Sequence, residues 1–314
     1  MARRASPPGG WKIDALAPDE VDIETIDAFH LGGDRFSASF ELSDQHSEFA
    51  RSFLLDIRFG ASLTFDIRLR IEESIKSHTS FGPEHHLALE LGGIIHELQP
   101  SGDNQTNLPQ GMLRRLWALN ERHQYVIGNR GIGYTREGDA WQVLQPYGDS
   151  YLKAIHGRSP QQIFACGSRG ELLRLEGRQW VSLDLPVQVD FNDIHVSEGG
   201  SIFLAGFDGN CFEIRDFELI PLANEGFAYM GVIEFKGRRY WSDANYGISV
   251  QNGNVISPFR AIGQGFTMHA STDLLVIAGW KEVFVFDGED WRGFELGYDG
   301  NIFLSQLDMT QYGG

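Results

Sequence analysis

The chain has 314 residues, 42% of them hydrophobic, with 37 glycines spread along its length and a net charge of −17. That surplus of carboxylates, with a pI of about 4.9, repels phosphate backbones and excludes a general nucleic-acid binder, while it steers a basic partner inward. Two cysteines, Cys166 and Cys211, make no disulfide framework, and no run approaches the roughly 20 apolar residues that span a bilayer.

Residues 1–30 read as a polar, proline-containing lead-in. MARRASPPGGWKIDALAPDE carries Arg3 and Arg4 but lacks the apolar core of a secretory signal, so the expected location is cytoplasmic. From Phe36 the chain turns strand-like, through FSASFEL, FLLDIRF and SLTFDIRLRI. In the last of these Leu63, Phe65, Ile67, Leu69 and Ile71 alternate with polar residues. Residues 31–80 are set apart as an atypical terminal unit.

From residue 81 to 296 the chain repeats itself. QQIFACGSRGELLRLEGRQW is echoed by RHQYVIGNRGIGYTREGDAW before it and GSIFLAGFDGNCFEIRDFEL after it, with glycines at Gly131, Gly170 and Gly209 at gaps of 39. Gly93 and Gly247 extend the series at gaps of 38, and Glu282 fills the slot in a sixth copy. Each copy holds four short apolar segments with period-two alternation, joined by glycine turns such as Asp208-Gly209 and Asp287-Gly288. A four-stranded unit of about 40 residues cannot bury both faces alone, and stacking such units around an axis does so.

The repeats resemble those of the WD40/YVTN-like β-propeller superfamily. REGDAW, LEGRQW and FDGEDW are similar to a degraded Asp-box (BNR) motif, as in bacterial units related to photosystem assembly factors. The resemblance implies an all-β fold, a single β-propeller over residues 31–314 with seven four-stranded blades, or six with an N-terminal add-on. Residues 31–80 then form the atypical blade. Residues 297–314 supply a closing strand, DGNIFLSQL, which pairs with N-terminal strands to seal the ring. Trp141, Trp180 and Trp291 are expected between blades.

Candidate chemistry is sparse. Trp117, His156 and His195 each stand 14 residues before the repeat glycine, a register that lines the channel mouth and marks either a shared binding position or repeated packing. His85, His86 and Glu90 invite a metal reading that needs further ligands. GNRGIG at 128–133 has no following helix and is no phosphate loop. Neither a nucleophile elbow nor an H-E-x-x-H motif occurs. No metal or cofactor is called for. The favoured expectation is a monomeric, non-catalytic propeller that binds a basic protein partner, for instance a bacterial immunity or inhibitor protein masking a toxin or effector. A glycan hydrolase or lyase using channel-mouth residues, and an assembly scaffold, are the alternatives.

Overall fold

A computed structural model describes residues 12–46, 49–109, 111–226 and 228–313; the start of the expected lead-in, residues 1–11, lies outside them. Strands dominate, and the described helices are four short 3-10 turns. Among the described residues the strands form seven antiparallel meander sheets: six of four strands and one of five. The seven innermost strands touch in succession and the last returns to the first, so the sheets are blades around a central channel.

The blades span residues 21–71, 75–107, 113–143, 152–182, 191–221, 229–261 and 268–306. One cluster of buried apolar side chains fills each of the seven gaps between neighbouring blades. The ring is therefore held by face-to-face burial, each sheet covering the face its neighbour cannot hide. Trp141 packs against the cluster between blades 2 and 3, Trp180 sits within that between blades 3 and 4, and Trp291 against that between blades 6 and 7.

The repeated G-x-x-G follows from the same packing. A Cβ on Gly167 would lie 2.1 Å from the Tyr151 carbonyl, in the segment entering the blade. A Cβ on Gly170, whose φ is +75°, would lie 2.0 Å from the Val187 carbonyl, in the segment leaving it. The turn between the second and third strands is thus clamped by both crossovers, and only glycine leaves them room.

Two expectations need correction. The lead-in does not extend to residue 30: the first strand is Val21–Gly32, Ile13 is buried in the cluster between blades 1 and 7, and the atypical blade therefore covers 21–71 rather than 31–80. The C-terminal strand does not pair with N-terminal strands. Ile302–Gln306 hydrogen-bonds to Trp291–Tyr298 as the fifth strand of blade 7. The N-terminal segment supplies four long strands of its own and leaves no vacancy for a clasp. Closure still joins the two ends, by packing: Ile302 and Leu304 meet Leu63 and Phe65 of blade 1 in one cluster.

Candidate functional site

The innermost strands enclose a cavity of about 540 Å³ along the ring axis. Trp117, His156 and His195 line it from blades 3, 4 and 5. Their rings form a ladder, with centroids 5.5 Å apart for Trp117 and His156 and 4.7 Å for His156 and His195. On the far side Phe29 stacks on His269 at 3.8 Å.

The polar groups of this wall mostly stitch one blade to the next. The Val196 N–H donates to His156 Nδ1 (3.0 Å), the Val232 N–H to Asp193 Oδ2 (2.9 Å) and the His78 N–H to Asp27 Oδ2 (3.2 Å). Asp27 also receives Ser77 Oγ (3.0 Å) and lies 3.1 Å from Arg115 Nη1 and 3.3 Å from His269 Nε2. Blades 1, 2, 3 and 7 thereby meet at one carboxylate. Sequence reasoning missed Asp27 because it fell within the supposed lead-in, although the run VDIETIDAF holds apolar residues at strand spacing.

Burial sets the protonation of this wall. It pushes His78 down to about 3 and His195 to about 4, and holds His156 well below its ordinary value. Burial works against ionised Asp27, yet Arg115 and His269 outweigh it and hold the carboxyl well below the usual range. Asp193, with weaker compensation, is raised by burial to about 6. The wall thus joins imidazoles whose values burial depresses to two carboxylates, Asp27 held ionised by Arg115 and His269 and Asp193 raised by burial.

Other charged groups at the channel edge are also engaged. Lys153 Nζ donates to Asp190 (3.1 Å) and Asn192 (3.2 Å), and Arg158 pairs with Glu198 at 2.8 Å. The metal reading of His85, His86 and Glu90 disperses: Glu90 accepts from His96 at 2.7 Å, His85 lies 3.4 Å from Glu97, and His86 turns inward to Ser80 and Asp56. Ser80 Oγ, His86 Nδ1 (2.8 Å) and Asp56, 3.2 Å from His86 Nε2, stand in nucleophile–base–acid order. The Ser80 hydroxyl is also bonded to Ser37 Oγ (2.8 Å), and the chain continues to His78 (3.2 Å) and Ser39 (2.7 Å). Shared between two partners, that hydroxyl belongs to a polar seam between blades 1 and 2.

Apolar side chains are exposed on both faces of the disc. The face carrying the turns between second and third strands displays Leu91, Met112, Phe207 and Trp280; the opposite face displays Phe217. Cys166 and Cys211 are buried, and burial raises both thiols, leaving neither a ready nucleophile.

The fold and its channel define a seven-bladed β-propeller. The WD40 propeller domain of Doa1 superposes with a TM-score of 0.70 at 8% identity, covering 87% of this chain and 97% of that one. YCF48 bound to D1 peptide gives 0.63 at 14% identity, covering 86% and 93%. No family profile matches the chain. Among curated proteins it is similar to the immune protein Tsi7 of Pseudomonas aeruginosa, 24% identical over 240 residues, which are 70% of this chain and 76% of that protein. No helix among the described residues is long and apolar enough to cross a membrane.

Proposed function

We propose that the chain is a protein-binding propeller of the immunity type, acting in the cytoplasm by masking a basic toxin or effector rather than by catalysis. The observation that carries this reading is the display of large apolar side chains on turns of a rigid, strongly acidic ring. Likeness to an immune protein across most of that protein's length supports it. The ladder Trp117–His156–His195 serves as a rigid wall behind the binding rim, and the REGDAW, LEGRQW and FDGEDW turns are remnants of an Asp-box. The chain works as a monomer that presents one rim to one partner.

An affinity pull-down from the native host at low and high salt, read by mass spectrometry, tests this. The expected result is one stoichiometric basic protein whose recovery falls as salt rises. Turnover on a glycan panel without any stoichiometric partner would contradict it.

A further inference from the structure

The two-residue turn after the third strand of blade 5 breaks a rule that the other repeats keep. In blades 2, 3, 4, 6 and 7 the corresponding turn places a glycine at positive φ: Gly102, Gly138, Gly177, Gly253 and Gly288. Blade 5 has Asp216 at φ +51° and Phe217 at φ +66°. Two successive residues at positive φ belong to the hairpin turn that prefers Asn-Gly or Asp-Gly. A bulky side chain in this region is strained, and such strain persists where something other than stability maintains it.

Phe217 recovers nothing for that strain within the chain, since it is 99% exposed. The apolar residues of the other face are better supported: Trp280 lies 6.0 Å from Phe266, Phe207 sits under Lys153 at 5.5 Å, and Met112 Sδ is 3.8 Å from Asn129 Nδ2. The turn that carries Phe217 is acidic. Asp216 and Glu218 flank Phe217, while Arg215 is drawn back onto Glu213 at 2.7 and 3.0 Å. On the same face the turns of blades 3 and 7 present Glu137, Asp139, Asp287 and Glu289, all exposed, while the blades adjacent to blade 5 present Glu176 with Arg178 and, in the first turn of blade 6, Lys236 and Arg238.

We infer that the Asp216–Phe217 turn is the anchor of the partner-binding surface, inserting its ring into an apolar pocket framed by lysine and arginine on a basic protein. This rests on the proposed protein-binding reading and assigns its contact to the face opposite Leu91, Phe207 and Trp280. An exposed aromatic anchor within a charged frame is the usual make-up of a binding hot spot.

The test uses the full chain and the partner identified in the pull-down, purified separately and titrated by calorimetry. Phe217→Gly is expected to weaken binding by at least about tenfold while the melting temperature stays equal or rises, because glycine relieves the backbone and no packing is lost. Val143→Ser, an exposed apolar residue on the outer edge of blade 3, should bind as the parent does. Unchanged affinity in Phe217→Gly, or loss on Trp280→Ser instead, overturns the inference and leaves the protein-binding reading standing. A lowered melting temperature in Phe217→Gly also overturns it, by making the ring structural. If the parent chain recovers no partner, the earlier reading itself fails.

Discussion

At the scale of single residues, the glycines of the repeat and the histidines of the channel carry the sharpest consequences. Gly170 combines a left-handed backbone with a carbonyl 2.0 Å from where a Cβ would sit. Gly170→Ala is therefore expected to destabilise the fold by about 2–4 kcal/mol, read as a lower urea midpoint. Gly177→Ala, with nothing within 4 Å, should cost only the φ strain. The channel histidines predict the response to pH. His78, His156, His195 and His269 all have values depressed below the ordinary 6.5, burial being the first cause in each. A depressed value means that the unfolded chain takes up protons that the folded chain refuses, so the stability present above 6.5 is lost as pH falls toward 4. Asp193, raised to about 6, works the other way, as do Glu24, Glu73 and Asp243, all raised by burial, whereas Asp14, Asp27, Asp190 and Asp287 are lowered by their partners and add to the loss of stability in acid. The urea midpoint should fall steadily from pH 6.5 to 4; a rising midpoint would show that the histidines are not held neutral in the fold.

At the scale of elements, the blade interface is the unit of stability. Trp180 is almost fully buried between blades 3 and 4, and Trp180→Ala is expected to cost about 3–5 kcal/mol. Because each interface is a separate cluster, hydrogen exchange should accelerate first in the strands of blades 3 and 4. The C-terminal strand gives a test of topology. Since blade 1 owns four strands, a chain ending at Asp299 should still assemble the ring, with a lower melting temperature from the uncovered Leu63 and Phe65 and the lost Met309 and Tyr312 contacts. A true clasp would leave that truncated chain unable to fold.

At the scale of the whole molecule, the ring was largely legible because each interface had to be built from the same parts. IFACG, IFLAG and LLVIAG recur where a strand is covered on both faces, and glycines recur where crossovers press on a turn. What was not legible depends on partners distant in sequence. Asp27 acquires meaning from Ser77 and His78, 50 and 51 residues on, from Arg115, 88 residues on, and from His269, 242 residues on. The strand Val21–Gly32 was hidden by Asp22, Glu24 and Asp27, polar residues that a closing first blade carries toward solvent and the channel. The destination of Ile302–Gln306 could not be read from its likeness to an inner strand, because the edge that accepts it is set by the four strands already present at the other end. RDFEL departs visibly from the acidic-glycine turns, but only the backbone shows that Phe217 occupies a left-handed position.

The measurement that tests the central claim most directly is hydrogen–deuterium exchange on the purified chain, alone and saturated with the basic protein that it captures. A propeller binding through the acidic rim of one face predicts new protection confined to turns, centred on residues 213–219, with the inner strands around Trp117, His156 and His195 unchanged. Protection spread along those inner strands, or none at the rim, would contradict it.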